Sequence, residues 1–153
     1  MGQLSELDIG TRSPRVRPTT LLLIADPSPE AGRAVGACIE LARALEADVI
    51  VLHVHERNAW LVGTGDFRTV DEAKQFVTRV ADRVRRAEIR ARAEVLTTRT
   101  GRRAAALSDA ASRGDIDLVV VGVPRPSGLR RVLGTAFVDG LVKRSSRPVL
   151  AIA

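Results

Sequence analysis

The chain has 153 residues, of which 45% are hydrophobic, 27% are charged and only 3% are aromatic. This length and composition fit one globular domain with an aliphatic core, and no segment approaches the roughly 20 consecutive apolar residues that a membrane-spanning helix needs. The net charge is +6 and all basic residues except Lys74 and Lys143 are arginine, but single-stranded nucleic-acid binders also need aromatic platforms, so the composition argues against that class.

The first 18 residues differ from the rest of the chain. They are polar, lack hydrophobic periodicity and contain Arg12, Arg15 and Arg17. We therefore predict a flexible basic N-terminal tail at residues 1–18 and a folded domain at residues 19–153. A polyanion-binding arm is the alternative function for the tail. Cys38 is the only cysteine, so no internal disulfide can form, which is typical of a cytoplasmic protein.

The first predicted unit is a strand, a helix and a second strand. The run "TTLLLIAD" (residues 19–26) is continuously apolar until its last residue, as in a strand buried on both faces. Ser28 can cap a helix that begins at Pro29, and apolar residues then recur every three or four positions to residue 46. The run "DVIVLHVH" (residues 48–55) predicts the second buried strand.

A break in the pattern follows at residues 56–69, which predict a long loop or insertion. Apolar spacing from Val70 to Ala87 then predicts a long helix. Four arginines lie on one side of this helix, and pairs such as Asp82 and Arg86 lie four residues apart. A solvated, self-neutralising face explains them, although a polyanion-binding face is the alternative.

The remaining chain alternates in the same way. We predict a strand at 93–100, a helix at 102–114, a strand at 116–122, a helix at 134–144 and a strand at 147–153. Alternation of this kind predicts an α/β fold: a single-domain, doubly wound, five-stranded and mainly parallel sheet with helices on both faces. Ligands of such sheets bind at the carboxyl ends of the strands, where Asp26, His55 and Gly122 are expected.

Two histidines lie two residues apart on the second strand. His53 and His55 should therefore point to the same face of the sheet. With a third ligand they could bind zinc, but no residue stands at a diagnostic spacing, and a packed or pocket-lining pair is the simpler interpretation. His55, closer to the end of the strand, is the better candidate for a pocket residue. We predict no metal site and no catalytic residue.

Taken in order, three segments resemble the universal stress protein family. They are "LLLIADPSPEAGRAVGACIELARALEADVIVLHV", "IDLVVVG" and "LVKRSSRPVLAIA". The resemblance covers nearly all of the chain after residue 18. It implies a Rossmann-like fold of the adenine nucleotide alpha hydrolase type, and a homodimer joined through the C-terminal strand, Val149 to Ile152.

Members of that family that bind ATP carry a glycine pattern after the fourth strand: Gly, two residues, Gly, nine residues, then Gly with Ser or Thr. Glycines let the backbone approach phosphates, and amides at a helix start favour an anion. The resemblance therefore implies a nucleotide site, to which this chain would contribute Asp26, Val54, Gly122, Arg125, Gly128, Gly134 and Thr135.

The chain departs from this glycine pattern. Arg125 occupies the second glycine position, Pro124 and Pro126 flank it, and the interval from Gly122 to Gly134 is one residue too short. Arg125 could grip a phosphate or could fill the site in its place. We therefore predict a binding or signalling module of the stress response with a degenerate adenine-nucleotide site. The alternative is a switch or slow ATPase that binds ATP with Mg²⁺ in the Gly122–Thr135 loop.

Overall fold

The computed structural model describes residues 19–62, 66–123 and 138–153. In chain order the elements are as follows: β1 (Thr20–Ile24), α1 (Pro29–Leu45), β2 (Asp48–Arg57), a 3-10 turn (Ala59–Val62), α2 (Val70–Arg86), β3 (Ala91–Arg99), α3 (Arg103–Ala111), β4 (Leu118–Gly122) and β5 (Val149–Ile152). Residues 138–144 form a further helical segment before β5. None of the helices in these ranges is long and apolar enough to cross a bilayer.

The five strands form one parallel sheet in the order β3-β2-β1-β4-β5. The chain moves outward from β1 to β2 and β3, then returns to the other side of β1 for β4 and β5. The predicted α/β fold, a doubly wound parallel sheet, is confirmed. Because the direction of winding reverses between β1 and β4, their carboxyl ends diverge into a crevice, the usual ligand position in this architecture.

Two apolar layers enclose the sheet, because both of its faces are buried. On one face α1 and α2 pack on alternate strand residues, including Leu21, Val49 and Val120. On the other face α3 and the helical residues 138–144 cover the intervening strand residues, including Leu22, Ile50 and Val119. The sheet is thus a rigid platform that holds the strand ends in fixed positions.

Several predicted boundaries change in the structure. Ser28 caps α1 and Pro29 opens it, as predicted. Strand β2 continues to Arg57, two residues beyond the predicted end, because β3 pairs with it along its whole length. Helix α2 begins with a capping box in which Thr69 and Glu72 exchange hydrogen bonds.

Some of the sequence predictions lie outside the described residues. They are the tail at 1–18 and four of the predicted site residues: Arg125, Gly128, Gly134 and Thr135.

The two edges of the sheet differ. At the β3 edge, the carbonyl oxygen of Arg90 accepts a hydrogen bond from the Val49 amide of β2. Because backbone groups alternate along a strand, the carbonyl oxygen of Ala91 points outward, away from β2. The Arg85 guanidinium donates to this outward oxygen at 2.9 Å, and Arg92 and Glu94 add charge along the strand. At the β5 edge, Val149 to Ile152 carry no charged side chain. Charged edges resist pairing with another chain, and uncharged edges permit it.

A cluster of ion pairs connects β3 to the turn before β4. Arg113 donates to Glu94 at 2.6 Å and to Asp115 at 3.1 Å, and Arg92 contacts both carboxylates. Hydrogen bonds from Arg113 hold the pKa of Glu94 and of Asp115 below the ordinary values. Nearby, Asp117 accepts from the amide of Thr20 at the start of β1. These charges therefore connect the first half of β3 to the segment that precedes β4.

Candidate functional site

The crevice brings together the three described residues that the sequence predicts for a nucleotide site. Ile24 pairs with Leu52 of β2 and with Val121 of β4. Asp26 follows β1 by two residues, Gly122 ends β4, and Val54 lies on β2 just beyond the last residue that β1 reaches. All three therefore lie at the carboxyl ends of adjacent strands, as expected for one ligand site.

Asp26 is fixed at the rim of the crevice by its own loop. Its Oδ1 accepts a hydrogen bond from the Ser28 amide at 2.8 Å, and the Ser28 hydroxyl accepts from the Ala31 amide at 3.2 Å. This Asx turn followed by a helix cap fixes the carboxylate without using both oxygens. Since no other described residue bonds to Oδ2, that oxygen can accept a hydroxyl donor such as a ribose.

Val54 can contribute to the site only through its backbone. Its side chain is 2% exposed and packs in the core with Ile24 and Val121. The Leu52 carbonyl accepts from the Ala25 amide at 2.8 Å, and backbone groups two residues apart on a parallel strand point the same way. The amide and carbonyl of Val54 therefore face the side on which β1 has ended, where they could pair with the edge of a planar base.

Gly122 is required by the packing of the fold itself. A Cβ built on it would lie 2.5 Å from the carbonyl oxygen of Glu30 and 2.7 Å from the amide nitrogen of Ala31, both in the first turn of α1. These are backbone atoms and cannot rotate away, so only glycine fits. The glycine that the family pattern assigns to phosphate approach thus also allows α1 to start directly beside β4.

Of the two histidines noted in the sequence, His53 is the one that contacts the loop carrying Asp26, and this contact was not predicted. Its imidazole is 1% exposed, and Nδ1 lies 2.8 Å from the carbonyl oxygen of Ala25, the residue before Asp26. Because a carbonyl oxygen can only accept, Nδ1 carries the proton. The ring also makes edge contacts with Phe67 and Phe76, at centroid distances of 5.2 and 6.1 Å. His55, the predicted pocket residue, is also buried, with 4% exposed.

Asp66, in the insertion predicted at 56–69, contacts residues of β2 and α3 near the carboxyl end of the sheet. Its Oδ2 lies 3.1 Å from the Arg103 guanidinium at the start of α3 and 3.9 Å from Nε2 of His53. Asp66 thus links β2 to α3 across the end of the sheet. No set of three or more potential metal ligands occurs among the residues that the structure describes.

The charge state of His53 follows from this environment. Burial lowers the pKa of the imidazole below its ordinary value, and the nearby Arg103 acts in the same direction. The Ala25 carbonyl and the carboxylates of Asp66 and Asp26 oppose this effect in part. At neutral pH the ring is therefore uncharged and serves as a structural hydrogen-bond donor to the loop that carries Asp26.

Comparison with known proteins agrees with this arrangement. The family model described as "Universal stress protein family" matches residues 19–153. The chain belongs to the universal stress protein family. A search of curated protein sequences finds no match.

Solved universal stress proteins share the fold at low identity. One is a universal stress protein from Lactobacillus plantarum, with a TM-score of 0.70, 18% identity, and coverage of 91% of this chain and 100% of that chain. A second, from Archaeoglobus fulgidus, is in complex with dAMP (TM-score 0.66, 18% identity, coverage 91% and 100%). A third, from Arabidopsis thaliana, has AMP bound (TM-score 0.62, 20% identity, coverage 88% and 91%). At such identities these structures establish the Rossmann-like fold.

Proposed function

We propose that this universal stress protein is a cytoplasmic binding and signalling module of the stress response, and that the crevice between β1 and β4 takes an adenine nucleotide. The observation that carries the proposal is the convergence of the Asp26 carboxylate, the Val54 backbone and Gly122 at the point where the winding reverses. The bound dAMP and AMP of the two relatives named above support this choice of ligand.

The three residues have different chemical roles in this proposal. Asp26 Oδ2 accepts a ribose hydroxyl, the Val54 backbone pairs with the adenine edge, and the phosphate lies towards the segment after Gly122. In that segment Arg125 stands where ATP-binding members have glycine. We infer that the nucleoside half of the site is retained and the triphosphate half is degenerate, so the β- and γ-phosphates should add little affinity. The competing function is a switch or slow ATPase with Mg²⁺-ATP.

The test is calorimetric titration of AMP, cAMP and Mg²⁺-ATP into wild type and Asp26→Asn. Asparagine keeps an oxygen for the Ser28 amide but replaces the other oxygen with a donor group, so the turn persists and the ribose acceptor disappears. We expect affinity to fall about tenfold, as for loss of one charge-assisted hydrogen bond. The control is Glu40→Gln, since Glu40 is an exposed acid eleven residues into α1, towards the helix end that lies away from the crevice.

The outcomes separate the two functions. Equal affinity for AMP and Mg²⁺-ATP without hydrolysis supports the degenerate site, whereas much tighter Mg²⁺-ATP binding or turnover supports the switch. Replacing Arg125 by Gly should then increase ATP affinity if Arg125 blocks the site. If no adenine nucleotide binds, and none is released from the denatured purified protein, the nucleotide proposal is wrong.

We also propose a homodimer through the β5 edge. The carbonyl oxygens of Pro148 and Ile152 accept bonds from the β4 side at 2.9 and 2.8 Å. Alternation then directs the backbone groups of Val149 and Ala151 to the open side. Leu150, 37% exposed, adds apolar surface beside this row of groups. An uncharged strand with outward donors and acceptors is suited to pairing with a second copy.

Ala151→Pro tests the dimer, because it removes an outward amide and leaves the bonds to β4 in place. Proline is tolerated at sheet edges, so the monomer should fold. We expect sedimentation equilibrium to show a dimer for wild type and a dissociation constant raised at least about tenfold in the variant. Ala151→Ser keeps the amide and should behave as wild type. A wild-type monomer at high micromolar concentration would exclude the β5 dimer.

A further inference from the structure

Two arginines stand side by side where β2 and β3 end. Arg57 and Arg99 are direct partners in the parallel register, so their side chains leave the sheet on the same side, from strands about 4.8 Å apart. Both are exposed. Together with Asn58 and Thr100 they line a cavity of about 400 Å³.

Like charges on paired strand positions destabilise a sheet unless something neutralises them. Neither guanidinium forms an ion pair with another of the described residues. Glu56, the residue before Arg57, projects from the opposite face of β2, and its carboxylate accepts a hydrogen bond from the Gly101 amide at 2.7 Å. Arg102, also exposed, lies in the turn after β3, and its backbone amide donates a hydrogen bond to the Arg99 carbonyl at 3.1 Å.

The other carboxylates near this end of the sheet are also engaged. Asp66 bonds to Arg103 at 3.1 Å. Glu72 accepts from the amides of Arg68 and Thr69 at 2.8 and 3.3 Å, as part of the α2 cap. The positive charge of the arginine pair is therefore left for a group outside the described part of the chain.

We propose that this cavity binds a phosphate-bearing small anion, and we name it the rim anion site, formed by Arg57, Asn58 and Arg99. Two guanidinium forks and one carboxamide can supply several N–H donors to the oxygens of one phosphate group. The Thr100 hydroxyl is not counted among these donors, because it already donates to the Arg57 carbonyl at 2.7 Å.

The rim anion site is separate from the nucleotide crevice. In the strand order, β2 lies between β3 and β1, which places Arg99 two strands, or about 10 Å, from β1. Arg57 lies three residues beyond Val54, another roughly 10 Å along β2. An anion here would contact the end of the sheet that carries the insertion after β2, whether or not the crevice is occupied.

The experiment is a titration of inorganic pyrophosphate into ¹⁵N-labelled protein at constant ionic strength, followed by the amide signals of Thr100 and Gly101. For comparison, Gly122 and Val123 report on the crevice. The variant is Arg57→Gln/Arg99→Gln. The control is Arg79→Gln/Arg83→Gln, which removes two exposed, adjacent arginines from α2 and so changes the net charge equally. ATP replaces pyrophosphate in a second arm, to distinguish a free anion from a nucleotide phosphate.

We expect pyrophosphate to shift Thr100 and Gly101 in a saturable way in wild type and control. The double variant should bind at least about tenfold more weakly by these signals. Equal binding by the double variant and wild type would overturn the rim anion site, as would the absence of a shift at Thr100 and Gly101. A shift at these residues with ATP and none with pyrophosphate would also overturn it, since the arginines would then belong to the nucleotide site.

Discussion

Gly122→Ala should lower the free energy of unfolding by about 3 kcal/mol, near the upper end for an inserted methyl group. The added Cβ would lie 2.5–2.7 Å from backbone atoms of Glu30 and Ala31. Relief requires moving the first turn of α1 or the end of β4, because no side-chain rotation can open the contact. Since that turn follows the Asp26 loop, the variant should also disturb the crevice. Chemical denaturation of both proteins measures the difference.

Gly36→Ala is the matched control for this prediction. Gly36 lies within α1, and no atom stands within 4 Å of a Cβ built on it. Alanine favours helix over glycine by roughly 0.5–1 kcal/mol, so this variant should be at least as stable as wild type. If Gly122→Ala and Gly36→Ala have the same stability, then α1 is not pressed against β4 as the structure has it.

His53→Ala should lower the free energy of unfolding by about 3 kcal/mol, the usual range for removing a buried ring with a hydrogen bond. The variant loses the edge contacts with Phe67 and Phe76, and it leaves the Ala25 carbonyl without its imidazole donor. Because Ala25 precedes Asp26, nucleotide affinity should fall as well, although His53 has no direct contact with a ligand in the proposed site. Denaturation and calorimetry on the same samples measure both effects.

The pH dependence of stability offers a second readout for His53. Burial lowers the pKa of the folded imidazole below the value of about 6.5 expected when the chain is unfolded. The unfolded chain therefore binds more protons below pH 6.5, and the stability that the neutral ring provides is lost as the pH falls below that point. Wild type should lose more stability than His53→Ala between pH 7 and 5. Parallel curves would show that His53 is not buried in its neutral form.

The fold could be predicted from the sequence because its signals are local. Continuous apolar runs such as "LLLIA" and "LVVVG" predict strands covered on both faces, and small residues spaced along α1 predict a helix that packs closely on them. The positions of Asp26 and Gly122 at one end of the sheet then follow from parallel topology alone. The extra residues of β2 could not be predicted, because only pairing with β3 makes Glu56 and Arg57 part of a strand.

The parts of the site that sequence reasoning missed depend on contacts between distant segments. The bond from His53 to Ala25 requires β2 to lie beside β1 in one particular register, and periodicity does not specify that register. The pairing of Arg57 with Arg99 likewise appears only when β2 and β3 are aligned. Two histidines with the same spacing look equivalent in the sequence. Only the three-dimensional structure shows which imidazole supports the loop before α1.

The difference between the two edges of the sheet has a consequence for self-association. The Arg85 guanidinium caps an outward carbonyl of β3, whereas no described residue bonds to the outward backbone groups of Val149 and Ala151. If two copies pair through β5, as proposed above, the charged β3 edges lie on both outer sides of the pair. Charges on these outer edges disfavour the addition of a third copy, so such a pair should resist polymerising into filaments even in a crowded solution.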